Sequence, residues 1–318
     1  MKIGMLFPGY GSQFVGMAKD LYDESRLMQE YFEEASNCLN SNFVKLCFAS
    51  SDAELGRPEN AYPALFLVST SLAALLKQEG IEPHVVAGHS IGEFAAMHHA
   101  GGLSFPDGLY VLSKYAGLYQ DFLSQTAMSG MQVTGLDSVQ IAQLCKQASD
   151  TDHSVSVAVV SSPTSFCVMG HAPAVDALRV LLADHPATLE DMPVELGLHS
   201  PLMDSVVAHL GLYLEKVDFK PMAIPLIAST DARSIAHGDE GRAAVIKHVH
   251  AQLAWYDTLM QFADCDILVE VGPGLSLREP IAQLFPDKLY RAINKRSDID
   301  ELKALVAKNT QTPDQVGT

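Results

Sequence analysis

Positive charge is scarce in this chain: 21 Lys and Arg stand against 38 Asp and Glu among 318 residues, a formal net charge of −17. Affinity for a phosphate backbone comes from clustered Lys and Arg, so nucleic acid is not an expected partner. Cysteine is sparse as well. The five (Cys38, Cys47, Cys145, Cys167, Cys265) are an odd number, far apart, with no CxxC pair and no zinc-type histidine spacing, so reduced thiols are expected and a metal is not. The longest apolar stretch, Ala61 to Leu76, is interrupted by Pro63, Ser69, Thr70 and Ser71. It falls short of a membrane span and predicts a buried helix of a globular domain, with no membrane association. The apolar run before Pro8-Gly9 is too short for a signal peptide, and a cytoplasmic location is expected.

What is present is a globular balance, 48% hydrophobic and 19% charged. The length suits about two domains, or one large α/β domain with an insertion. Strand and helix patterns alternate up to about residue 126, with strands near Lys2 and at Pro83 to Gly88. The rhythm then changes. An apolar run at Met128–Val133, a helical stretch at Ser138–Gln147, strands at Val155–Val160 and Phe166–Met169, a helix at Ala172–Leu182 and a strand at Leu189–Val194 give a βαββαβ order, the ferredoxin-like signature. Strand candidates at Ile224–Ala228 and Ile267–Val271 resume the α/β pattern. The expected organisation is therefore a discontinuous core, 1–126 and 194–308, a ferredoxin-like insert, 127–193, and a polar, frayed tail, 309–318.

The strongest local signal is Val85-Val86-Ala87-Gly88-His89-Ser90-Ile91-Gly92-Glu93, an apolar strand, a GxSxG turn and the start of a helix. Such an elbow presents its serine at a helix N-terminus, where unsatisfied N–H groups suit a developing oxyanion. A serine hydroxyl needs a base to act as a nucleophile, and the chain has 12 histidines. His89 adjoins the serine and is expected to point away from it. His98 and His99 are consecutive helical positions and do not form a metal pair. His199, in a loop before a helix, is the better candidate.

Four motifs in order, Phe7-Pro8-Gly9-Tyr10-Gly11-Ser12-Gln13, Gly88-His89-Ser90-Ile91-Gly92-Glu93, Gly197-Leu198-His199-Ser200-Pro201-Leu202-Met203 and Glu270-Val271-Gly272-Pro273-Gly274, resemble the malonyl-CoA:acyl carrier protein transacylase family over about residues 2–305. The resemblance implies a hydrolase-like α/β core with a parallel sheet and an inserted ferredoxin-like subdomain. It implies a Ser90–His199 dyad, an oxyanion hole of the Tyr10 and Ile91 backbone N–H groups, and a backbone carbonyl of Gln252 that orients the histidine. No bound cofactor is implied; the phosphopantetheine arm of acyl carrier protein is the substrate handle, and the partners are that carrier and an acyl thioester.

The substrate positions depart from the family pattern. Ala116 stands where malonyl-specific members carry an arginine, and Lys114, two residues away, is turned by about 200° along a helix. Tyr10 and Tyr62 replace glutamines, Leu198 replaces a phenylalanine, and Ser161 replaces an asparagine. This pattern resembles the acyl hydrolases of trans-acyltransferase polyketide synthases, and the expectation drawn from it is hydrolytic removal of non-malonyl acyl groups from the carrier protein, proofreading in polyketide biosynthesis. The alternative is a transferase that loads malonyl or another acyl group from CoA onto the carrier; a non-catalytic carrier-binding module is a third. Lys288, Arg291, Lys295 and Arg296 are candidate docking cations for an acidic carrier.

Overall fold

In a computed structural model of the chain, residues 1–310 are described. Ten strands are found among them: β1 (Ile3–Phe7), β2 (Val85–Gly88), β3 (Met128–Thr134), β4 (Val155–Ser162), β5 (Ser165–His171), β6 (Thr188–Asp191), β7 (Leu226–Ile227), β8 (Ser234–Ile235), β9 (Ile267–Val271) and β10 (Leu289–Ile293). Six of them form one sheet in the order β10-β9-β1-β2-β7-β8, parallel throughout except for the β7/β8 pair. Every residue of β1, β2 and β9 is buried, because helices cover both faces of a parallel sheet and its central strands must be apolar on both sides. One cover is the helix Pro58–Gln78, which opens on a proline at its first turn, where no helical N–H is needed. It carries the Ala61–Leu76 stretch, as expected, and is buried nearly all round.

The other four strands form an antiparallel sheet in the order β4-β5-β3-β6. With the helices Ser138–Ala148 and Ala172–Leu182 they give the βαββαβ path of a ferredoxin-like subdomain, with its own core of Met131, Val133, Ile141, Phe166, Val168 and Leu178. Asp137 and Gln140 close a capping box on the first of these helices. Irregular register in β4 lets this subdomain hold the main body: Leu253 N donates to Ala158 O at 2.8 Å, and Val160 N to Leu253 O at 2.9 Å.

Three expectations are corrected. The strand at Ile224–Ala228 shortens to β7, and the one at Leu189–Val194 ends at Asp191, because Val194 begins a 3-10 turn that leads to His199. Asn309, expected in a frayed tail, lies in the helix Arg296–Thr310 and donates back to Leu305 O; the rest of that expectation, 311–318, lies outside the described residues. No helix among the described residues is long and apolar enough to cross a membrane, and all five cysteines are free, only Cys38 being exposed.

Candidate active site

The elbow forms where β2 ends at Gly88 and the helix Gly92–Ala100 begins. Ser90 sits between them with φ 49°, a left-handed conformation that costs a non-glycine residue roughly 1–2 kcal/mol. His199 is also left-handed, φ 42°. Such conformations persist where the surroundings over-determine them, and here both belong to one contact. Ser90 Oγ lies 3.0 Å from His199 Nε2 and 3.2 Å from Leu196 O, two acceptors within reach of its one proton. Both residues are 2% exposed. Burial, and secondarily the nearby His248, pushes the His199 pKa down from 6.5 to about 3, so the ring is neutral at ordinary pH, as a proton acceptor must be.

The other ring nitrogen, Nδ1, lies 2.8 Å from the backbone carbonyl of His248. This corrects the expectation for Gln252, whose side chain is exposed at the rim of a neighbouring cleft. The reason lies in helix geometry. His248 is in the last turn of the helix Gly238–His250, where carbonyls lack intrahelical partners; one of them is aimed at the imidazole. Acceptance there places the proton on Nδ1 and leaves the Nε2 lone pair for Ser90.

The first loop closes over the serine. A Cβ on Gly92 would lie 2.3 Å from Phe7 O, and one on Gly9 would lie 2.5 Å from His89 O and 3.3 Å from Ser90 Cβ, so only glycines permit this approach. It brings Tyr10 beside the elbow. Neither the Tyr10 nor the Ile91 backbone N–H donates to a backbone carbonyl among the described residues. His89 packs edge-on against Trp255, ring centroids 4.8 Å apart.

Of the four expected pocket residues, Ala116, Tyr62 and Leu198 are fully buried, and Ser161 is a half-buried residue of β4. Tyr62 donates to Glu195 O at 2.9 Å, Tyr119 donates to Val194 O, and the rings of Tyr10, Tyr62, Tyr115 and Tyr119 form a contiguous cluster with centroids 5.6 to 6.5 Å apart. Burial raises the Tyr62, Tyr115 and Tyr119 pKa values, so these hydroxyls stay protonated. Lys114 is directed elsewhere, its Nζ over the Tyr110 and Tyr213 rings. A cleft of about 530 Å³ opens beside His199, lined by Cys145, Lys146, Val157, Ser200 and Gln252 among others.

Three of the four candidate docking cations are engaged within the fold, Arg291 donating to Tyr290 O at 2.8 Å and lying 4.0 Å from Glu301. Lys288 holds the carbonyls of Phe262, Ala263 and Cys265, and Arg296 pairs with Glu79 at 2.8 Å and Asp300 at 3.3 Å. Arg291 and Lys295 line a second cavity of about 560 Å³, together with Arg278 and the exposed Phe14 and Leu275. Among the described residues no group of three or more His, Cys, Asp or Glu could hold a metal ion.

A serine–histidine pair on the strand-to-helix elbow of a mostly parallel sheet, with a ferredoxin-like subdomain alongside, places the molecule among α/β proteins of hydrolase-like architecture. Within that class the sequence model of the acyl transferase domain matches residues 5–254, and the chain belongs to this acyltransferase family. It is 30% identical over 298 residues to the malonyl CoA-acyl carrier protein transacylase of Haemophilus influenzae, covering 92% of this chain and 95% of that one. It is 28% identical over 281 residues to the protein of the same name from Bacillus subtilis, 86% and 87% covered. The crystal structure of an acyl carrier protein S-malonyltransferase from Vibrio cholerae superposes with a TM-score of 0.90 at 26% identity, covering 95% of this chain and all of the other. These matches overturn the expectation of a proofreading acyl hydrolase: each of these relatives bears the name of an acyl-transfer enzyme. The hydrolase reading rested on pocket substitutions alone, and these leave the water or thiol that accepts the acyl group undetermined.

Three further polar residues, Glu93, Ser229 and His248, are buried next to this contact. Glu93 carried a signal, a charge inside the otherwise apolar start of the elbow helix, whereas nothing local marks the other two.

Proposed function

We propose that the protein moves an acyl group, malonyl first, from coenzyme A to the phosphopantetheine thiol of acyl carrier protein through an ester on Ser90. The names of its relatives supply the substrates. The observation that carries the chemistry is the 3.0 Å contact between Ser90 Oγ and His199 Nε2. His199 takes the hydroxyl proton as Oγ attacks the thioester carbonyl. The Tyr10 and Ile91 N–H groups receive the oxyanion. Collapse breaks the C–S bond, and His199 returns the proton to the departing thiolate. The carrier thiol then repeats the sequence in reverse, deprotonated by the same nitrogen, and releases Ser90.

The acyl end is assigned to Tyr62, Ala116, Leu198 and Ser161, and the cleft beside His199 to the pantetheine arm. Lys295 and Arg278, beside the internally held Arg291, are assigned to an acidic carrier. No cation stands among the acyl-end residues, and this favours a second reading in which an uncharged acyl group is transferred beside malonyl. A cytoplasmic location accords with CoA thioesters as donors.

The test is to incubate the protein with malonyl-CoA or acetyl-CoA, follow the acyl-enzyme by intact mass, and then add the thiol-bearing carrier. Transfer to the carrier that outpaces release of free acid is expected, and Ser90→Ala should abolish it. Free acid forming faster than acyl carrier would reject the transferase reading.

A further inference from the structure

Behind His199, on the side away from Ser90, lies a buried polar group that the transfer steps leave unused. Glu93 is in the first turn of the elbow helix, Ser229 follows β7 by two residues, and His248 closes the helix Gly238–His250. All three are essentially inaccessible, at 2%, 0% and 0% exposure. Glu93 Oε2 accepts the Ser229 backbone N–H at 3.2 Å and its hydroxyl, and lies 3.4 Å from His248 Nδ1. Glu93 Oε1 and His248 Nε2 have no hydrogen-bond partner. Burying a carboxylate with half its capacity unmet is costly, so space filling alone is a poor reason for these residues.

What the group fixes is visible from the segments it joins. One is the helix that carries the elbow serine. The second is the stretch after β7, which also receives Ala254 N on Ser229 O at 2.7 Å. The third is the helix end whose carbonyl, that of His248, accepts from His199 Nδ1 at 2.8 Å. The His248 ring is wedged edge-on between Phe94 and His199, with centroid distances of 5.8 and 5.0 Å, so it cannot turn from Glu93 without disturbing His199.

We infer that Glu93, through the ring of His248, is a positioning residue that fixes the backbone carbonyl on which the orientation and tautomer of His199 depend. The inference rests on the reading of Ser90 and His199 as nucleophile and base. It predicts that the side chain of His248 matters although the hydrogen bond to His199 is made by its backbone.

The test uses the full chain and malonyl-CoA, with burst rates of acyl-enzyme formation and the downfield proton resonance of the His199 Nδ1–H, assigned by its loss in His199→Gln. Glu93→Gln and His248→Leu should each slow loading about 10- to 100-fold, part of the 10²–10⁴ that a positioned general base supplies. The KM for malonyl-CoA should stay within about twofold, since substrate binding is untouched, and the resonance should shift or broaden. His248→Asn, whose amide nitrogen can occupy the place of Nδ1 and donate to Glu93, should recover most of the rate and the resonance. Melting curves establish folding, and the near-isosteric Glu93→Gln decides the matter if His248→Leu does not fold. Equal rates and an unchanged resonance in the Leu and Asn variants, or a wild-type rate in Glu93→Gln, would overturn the inference. Loading that survives Ser90→Ala would instead strike the dyad reading itself.

Discussion

At the scale of single residues, the proposed acyl end is tested most directly at Ala116. Its side chain is fully buried on the helix Phe105–Gln125, and the neighbouring Tyr115 is 1% exposed. A larger side chain there meets a filled core, where overpacking costs about 1–3 kcal/mol, and a buried unpaired charge costs roughly 3–5 kcal/mol more. Ala116→Arg, made with Ser90→Ala so that nothing is acylated, should therefore lower the melting temperature by several degrees. If position 116 faces the acyl carboxylate, saturating malonyl-CoA should restore more of that loss than acetyl-CoA, because a ligand stabilises in proportion to its affinity for the folded state. Equal recovery with the two thioesters would place the carboxylate elsewhere. The tyrosines clustered around Tyr62 cannot supply a charge there, since burial keeps them neutral; they offer hydroxyl donors only.

At the scale of elements, the site depends on how closely the first loop approaches the elbow. With Phe7 O 2.3 Å and Pro8 O 2.6 Å from where a Cβ would stand on Gly92, Gly92→Ala must push two backbone segments apart. A cost of about 2–3 kcal/mol in urea denaturation and a severe loss of acyl loading are expected. Gly117→Ala is the control. It lies on the helix Phe105–Gln125 with nothing within 4 Å of the added carbon, and should stabilise by roughly 0.5–1 kcal/mol. Full activity in Gly92→Ala would mean that this contact does not set the loop. Much of this architecture was legible in the chain. Alternating strands and helices, the βαββαβ order and the Gly88-His89-Ser90-Ile91-Gly92 turn each mark themselves locally, through apolar period and turn chemistry. The partner of His199 was not legible, because a carbonyl acceptor depends on where a helix ends and not on which side chain stands there. The extent of β7 was not legible for a related reason: Ile224–Ala228 is apolar throughout, but Pro225 has no N–H to give a ladder, and the strand is confined to Leu226–Ile227 between β2 and β8.

At the scale of the whole molecule, acid should be destabilising although it removes surplus negative charge. Titration from −17 toward a pI near 5.0 relieves surface repulsion, but that repulsion is screened within about 10 Å in ordinary salt. Histidines held partly or wholly inside the fold act in the opposite direction and more strongly. Burial pushes His89 and His99 down from 6.5 to about 4, His199 to about 3, and His98 in the same direction. Between about 6.5 and those values the unfolded chain binds protons that the folded chain refuses, so stability falls as pH falls, by up to about 1.4 kcal/mol per pH unit for each such group. Glu270 has the opposite sign, since burial raises its carboxyl and the folded state takes up a proton first, but it is one group against four. The melting temperature should therefore hold level above pH 7 and fall steadily from pH 6.5 to 4.5. His99→Gln should reduce that slope, because it removes a half-buried imidazole whose inaccessible Nε2 has no partner without entering the Ser90–His199 contact. A melting temperature that stays constant down to pH 5 would show that these histidines are solvated or paired in the folded protein, and the neutral, poised state of His199 would lose its physical basis.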